Sequence, residues 1–203
     1  MPRFEKVDPT SKETEFASAG KRSGRITLAL ISSLPDKVLS ALSGHLQKEF
    51  GVPVVSVVFE GTEKDVSYAF NRRRNQYSSP KILGRLRRVP KEPGDKVLGI
   101  VDVDLYCPDY DFVFGEADAT TGVATLSVYR LKQGADDENL VTSRVIKEAT
   151  HEIGHLFDLG HCDDPKCVMS FSTGNLWQID AKSASICADC HSAGLQRNRT
   201  IRN

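Results

Sequence analysis

The chain has no run approaching the ~20 apolar residues of a membrane span, and its first residues, MPRFEKVDPTSKETEF, contain no apolar signal core. No membrane association is therefore expected, and a reducing cytoplasm is the simplest compartment for it. Net charge is lacking as well. Its 27 acidic groups balance 27 basic ones, which argues against a surface built throughout to seek nucleic acid or another polyanion. There is no internal repeat, so solenoids and propellers are excluded. Methionine is nearly absent, Met169 being the only one besides the initiator. Cysteine is scarce too, yet four of the five cysteines fall between Cys162 and Cys190. At 203 residues and 39% hydrophobic content the chain can bury one sizeable core and hardly two. A single compact domain, acting as a monomer, is the expectation.

Against this background stands HEIGHLFDLGH, from His151 to His161. An α-helix advances about 100° per residue, so His151 and His155, four apart, stand one turn above each other and can reach one metal ion. Glu152 sits beside them. A catalytic zinc usually has three protein ligands and a water in the fourth position. His161 can be the third. It lies six residues past His155, off the pair's face of any continuing helix, so the chain must leave the helix between them. Asp158 and Gly160 are the residues that can let it turn. Zinc lowers the pKa of its bound water to near neutrality. Glu152 is placed to take that proton as the water attacks a polarised carbonyl, then to pass it to the leaving amine. The plainer reading is an amphipathic helix carrying histidines by chance, and the third histidine at this spacing argues against it.

The cysteines point to a second metal. Four residues separate Cys162 from Cys167, two separate Cys187 from Cys190, and nineteen lie between the pairs. Such spacing fits a closed four-cysteine structural zinc site, which contributes folding free energy where the apolar core is thin. The rival is a pair of disulfides, which would need an oxidising compartment. His191 follows Cys190 and can compete as a ligand, although four thiolates already complete a tetrahedron. Cys107, the odd one, is expected as a buried small hydrophobe.

The long HExxHxxGxxH pattern resembles the metzincin clan of zinc endopeptidases. The continuation, CDDPKCVMS and later CADC, resembles the archaemetzincins from His151 to Cys190. That resemblance implies a zinc metallopeptidase acting on peptides or proteins. It implies two zinc ions per chain: a catalytic one on His151, His155 and His161, and a structural one on Cys162, Cys167, Cys187 and Cys190. It also implies a methionine turn at Met169 beneath the first metal. Two departures matter. Asp158 stands where the clan has glycine, and a left-handed conformation there costs a typical L-residue about 1 kcal/mol or more, although Asp tolerates it better than most. Phe171 stands two residues beyond Met169, where certain metzincins carry a metal-binding tyrosine, so no phenol is expected there.

The pattern along the chain is that of an α/β domain. Residues 1–24, polar and rich in Ser, Thr, Glu and Lys, are expected as a mobile leader to a single metzincin-like catalytic domain, 25–203. The tail after Cys190 has a similar composition, and its Asn198-Arg199-Thr200 is expected to be an inert glycosylation match. Periodicity predicts a strand at 25–32 and a helix at 35–50 with Val38, Leu39, Leu42 and Leu46 on one side. A second strand follows at 52–60, and the three make a parallel βαβ unit. A helical stretch near 82–86 comes next, then strands near 97–105, 111–115 and 122–131. The active-site helix is expected at about 139–158, with Val145, Ile146, Ala149, Ile153 and Leu156 as its core stripe. The resulting fold is a mixed, mostly parallel twisted sheet with helices, followed by a small zinc-bound C-terminal part, 159–203. The resemblance makes 111–115 the antiparallel sheet edge above the metal, where Phe112, Val113, Phe114 and Gly115 would hold an extended substrate by main-chain hydrogen bonds.

Other clusters have plainer readings. The basic run from Asn71 to Lys91 reads as a solvated face rather than a nucleic-acid patch. The acidic run Asp102, Asp104, Asp109, Asp111, Glu116 and Asp118 matches no EF-hand spacing and reads as surface carboxylates. His45 is expected without partners. Two function classes follow: a zinc peptidase with Glu152 as general base, or a catalytically silent or latent two-zinc protein that binds peptides or partners. Glu152, which a purely structural zinc would not need, favours the first.

Overall fold

The computed structural model describes residues 24–193. The expected leader, save its last residue, and Asn198-Arg199-Thr200 lie outside the described residues. The fold begins with β1 (Ile26–Leu30), α1 (Asp36–Phe50) and β2 (Val54–Val58). β1 is buried on both faces, as a central parallel strand must be. In α1, Val38, Leu42, Leu46 and Phe50 recur every four residues as its buried stripe, and Gly51 ends the helix with a left-handed φ of 67°. Two short strands, β3 (Phe70–Asn71) and β4 (Gln76–Ser78), lead into α2 (Ser79–Leu86), which begins with a proline in its first turn. There follow β5 (Lys96–Val101), β6 (Leu105–Cys107), β7 (Tyr110–Val113), β8 (Gly115–Asp118), β9 (Val123–Ser127), α3 (Glu138–Leu156) and α4 (Leu176–Ala181).

The main sheet has the order β2-β1-β5-β9-β8. Its first three pairings are parallel and the last, β8 with β9, is antiparallel, so the mixed, mostly parallel sheet expected from the sequence is what forms. Alternate residues of β1, β5 and β9 feed two apolar layers. Ile26, Leu28, Leu98, Ile100 and Leu126 pack against α1 and against Val145, Ala149, Ile153 and Leu156 of α3. Ala29, Val97, Val101 and Val123 pack against Ile82, Leu83 and Leu86 of α2 on the other face. Ile146 is only partly buried at the rim, because it stands one residue off the stripe that faces the sheet.

Two expected strands divide. The segment 97–105 leaves the main sheet after Val101, where Asp102 and Asp104 pair with Lys132 at 2.6 Å and Arg130 at 2.5 Å. It then enters a second, four-stranded sheet of order β3-β4-β6-β7. The segment 111–115, expected as one edge strand, spans both sheets. Val113 pairs with Leu105 in the small sheet, Gly115 pairs with Leu126 in the main one, and the chain passes between them at the buried Phe114. The antiparallel edge of the main sheet is therefore Gly115–Asp118. The predicted 122–131 strand stops at Ser127 and continues as a helical turn, Arg130–Lys132.

The charged runs tie these pieces together. Arg74 donates to the carbonyls of Tyr110 and Asp111 at 3.2 and 3.0 Å, and Arg87 pairs with Asp118 at 2.7 Å. His45, expected to be alone, has its Nε2 3.0 Å from the carbonyl of Ala184, so α1 also touches the C-terminal part. That part shares the main core, since Cys167, Val168, Met169, Ile179 and Ile186 belong to the same apolar cluster as the sheet. Leu98 lies fully buried in this cluster. Leu98→Ala is expected to cost about 2–5 kcal/mol, read as a lower urea midpoint with unchanged slope; a cost below about 1 kcal/mol would contradict the shared core.

Candidate metal centres

α3 opens on Asp137, whose carboxylate accepts from the Leu140 N–H at 2.8 Å, and its last turns carry His151, Glu152 and His155. The Nε2 atoms of the two histidines are 3.1 Å apart. Two nitrogens bound tetrahedrally to one zinc at about 2.0–2.1 Å would lie about 3.4 Å apart, so both face one point at metal distance. Each Nδ1 meets a backbone carbonyl, Val168 O for His151 and Leu159 O for His155, both at 2.8 Å. A carbonyl can only accept, so each Nδ1 carries the proton and each Nε2 presents its lone pair. Burial, and then the neighbouring His155, pushes His151 down to about 3, and burial lowers His155 and His161 as well. All three imidazoles are neutral at pH 7, the form that binds metal.

His161 completes the group because the helix ends in a left-handed residue. Asp158 has φ 62°, the conformation a glycine would take there. The Asp158 N–H bonds to His155 O at 3.0 Å and the Leu159 N–H to Gly154 O at 3.1 Å, which together form a Schellman turn. The departure from the clan's glycine is thus absorbed by a residue type that tolerates αL. His161 comes back over the helix, and the ligand atoms of His151, His155 and His161 all lie within 4.8 Å of one another. Its ring rests on Phe171, with centroids 5.0 Å apart. Beneath the helix lies the buried Met169. A Cβ on Gly154 would come 2.4 Å from its Sδ, so a side chain at that position would push the methionine aside.

Glu152 is buried beside these ligands. Burial, with Glu148 and Glu116 nearby, holds its carboxyl well above the usual carboxylate range, so a cation at the histidine point is what would favour its ionised form. A Cβ on Gly115 would come 2.6 Å from Glu152 Oε1, and the glycine leaves room for that carboxylate. The group opens into a cleft of about 980 Å³. Phe112, Val113, Phe114 and Gly115 line it, as do Tyr110 and Cys107. Cys107 is buried on β6, and burial raises its thiol pKa.

The thiols of Cys162, Cys167, Cys187 and Cys190 also gather within 4.8 Å of one another. Cys162 and Cys187 have their sulfurs 3.8 Å apart, and all the cysteines are free. A disulfide needs about 2.0 Å, whereas four thiolates at about 2.3 Å around a tetrahedral ion are separated by about 3.8 Å. The donor set therefore fits a metal and not disulfides. His191 points elsewhere, its Nε2 3.4 Å from Glu49. Among the described residues, the histidine and cysteine groups are the two arrangements of at least three ligands close enough for one ion. The acidic run forms none.

Three cations, Arg144, Lys147 and Lys182, are buried with no sequence motif to mark them. Lys182 has a side chain 1% exposed, 3.3 Å from Glu148 Oε1, and it donates to Ser170 O at 3.0 Å and Val168 O at 3.4 Å. The contact with Glu148 is an ion pair without hydrogen-bond geometry, and that oxygen has no hydrogen-bond donor. Glu148 carried a signal, one helical turn before Glu152 on the same face. Lys182, 34 residues further on, carried none.

Two substitutions test this geometry. Asp158→Gly is expected to keep the affinity of the histidine group for zinc, while Asp158→Val, strained in αL, should weaken it about tenfold or more by chelator competition. Equal affinities would contradict the turn's role. Cys167→Ser should lower the melting temperature and reduce the response of melting to a chelator; unchanged melting would count against a metal at the thiols.

The model of Peptidase family M54 matches residues 47–197. The archaemetzincin of Methanopyrus kandleri is 45% identical over 131 residues, which cover 64% of this chain and 72% of that relative. The crystal structure of archaemetzincin from the same organism superposes with a TM-score of 0.72 at 34% identity, covering 91% of this chain and 99% of that one. That of Archaeoglobus fulgidus archaemetzincin, complexed with malonate, gives 0.68 at 36% identity over 84% and 99%. The chain therefore belongs to Peptidase family M54, the archaemetzincins, and is a zinc metallopeptidase.

Proposed function

We propose that this chain hydrolyses peptide bonds with two zinc ions per molecule, a catalytic one on His151, His155 and His161 and a structural one on Cys162, Cys167, Cys187 and Cys190. The observation that carries the reading is the convergence of three neutral imidazoles with the buried Glu152 at the floor of the cleft. When bound, the catalytic zinc supplies a Lewis acid that lowers the pKa of a water and polarises a carbonyl. Glu152 acts as general base, taking a proton from the attacking water and returning it to the amine nitrogen as the C–N bond breaks. Met169 forms the methionine turn under the ligands. Phe112, Val113, Phe114 and Gly115 contact the substrate, an extended peptide held along the edge of β8 and the adjoining β7. The gathered thiols suit a reducing compartment, the cytoplasm, better than an oxidising one. No helix among the described residues is long and apolar enough to cross a membrane.

The test is mass-spectrometric cleavage profiling of a mixed peptide library with the zinc-loaded protein and its Glu152→Ala variant. Cleavage by the unmodified protein is expected, with turnover lowered about 10²–10⁴-fold in the variant while both zinc ions stay bound. No cleavage by either, with zinc present, would replace this reading with a peptide-binding role; loss of zinc from the variant would make Glu152 a structural residue.

A further inference from the structure

The segment beneath the histidine ligands is held from below by a charge that the peptidase reading does not use. Lys182 follows α4, and α4 is anchored to α3 by two pairs of bonds. Asp180 accepts from Arg144 Nε and Nη2, both at 2.7 Å, and Lys147 donates to Ile179 O at 3.0 Å and Asp180 O at 2.9 Å. From that fixed base the Lys182 ammonium reaches the carbonyls on both sides of Met169, Val168 O and Ser170 O. Val168 O is also the acceptor that orients His151, at 2.8 Å from its Nδ1. One carbonyl thus serves a ligand and the lysine at once. Met169 O is engaged as well, accepting from the Cys162 N–H at 3.0 Å.

We infer that Lys182 is a positioning residue for the three-histidine zinc site, clipping the turn at Val168, Met169 and Ser170 so that Val168 O stays where His151 needs it. A buried ammonium is costly unless paired and hydrogen-bonded, and here two carbonyls and the Glu148 carboxylate share that task. Glu148 is the counter-charge that lets the lysine stay inside; the clip on the turn is the lysine's own. The arrangement gives zinc affinity a dependence on a residue that touches neither metal nor substrate. Outer partners of metal-binding histidines commonly act in this way. The inference rests on the three-histidine site proposed above, and its readout is independent of turnover.

Lys182→Met alone would strand Glu148 as an uncompensated buried charge, so the informative variant removes both, Lys182→Met with Glu148→Leu. Zinc affinity of the full chain is measured by chelator competition, with protection of the four cysteines from a thiol reagent reporting the second site. The paired variant should keep its cysteines protected while its weaker zinc is released about 10–100-fold more readily. On a cleaved library peptide, kcat should fall with KM little changed. Glu148→Gln, whose carboxamide oxygen can still face the ammonium while the lysine keeps its carbonyl contacts, should lose clearly less affinity than the paired variant. Unchanged affinity in the paired variant would overturn the inference. So would loss of both zincs, which would make Lys182 a general framework residue, or an equal loss in Glu148→Gln, which would assign the effect to the carboxylate.

Discussion

The chain leaves α3 through one left-handed residue, and the two hydrogen bonds that close this turn decide where the histidine and cysteine groups gather. The Asp158 N–H to His155 O and the Leu159 N–H to Gly154 O reverse the backbone within two residues. The same reversal delivers Leu159 O to His155 Nδ1, which fixes that ring's tautomer. It then carries His161 back over its partners, while Cys162 enters an extended bridge opposite Ser170. In extended chain, neighbouring side chains point to opposite sides, so two consecutive residues join two different ligand groups. Had the helix run on, His161 would lie about 15 Å along the axis from His151, out of reach of a shared ion.

The turn is held by what packs on each side of it. Above, the sheet and α1 bury the apolar stripe of α3. Below, Met169 fits under Gly154, and the C-terminal segment joins the same apolar cluster through Val168, Ile179 and Ile186. Charged groups lock the arrangement: Arg144 to Asp180, Lys147 to the end of α4, Lys182 to the turn. A three-ligand site of this kind needs its rings held before the metal arrives, because orienting them afterwards would draw on the binding free energy. Here neutral imidazoles, proton-bearing Nδ1 atoms and a fixed carbonyl for each helical ligand are already in place.

Local signals were legible in the sequence, and long-range ones were not. The spacing of His151, Glu152, His155 and His161 is a statement about one helix and its exit; the three histidines gather as that spacing implies, and Glu152 lines the same cleft. The four cysteines gather too, unbonded, with the Cys162 and Cys187 sulfurs 3.8 Å apart. Strong periodicity disclosed β1, α1 and α3 to within a few residues. The second sheet escaped because its strands are two to four residues long, too short to display alternation. The division of 111–115 at Phe114 escaped because it depends on partners, Leu105 and Leu126, from two different sheets. His45 with Ala184 and Lys182 with Glu148 are contacts between elements that no spacing rule connects.

We propose that one turn feeds two chemically distinct zinc sites in the same chain. Metal analysis combined with zinc X-ray absorption on the purified protein tests it directly. Two zinc ions per chain are expected, with averaged coordination by both sulfur at about 2.3 Å and nitrogen or oxygen at about 2.0–2.1 Å. One zinc per chain, or a shell of sulfur alone or of nitrogen and oxygen alone, would contradict it.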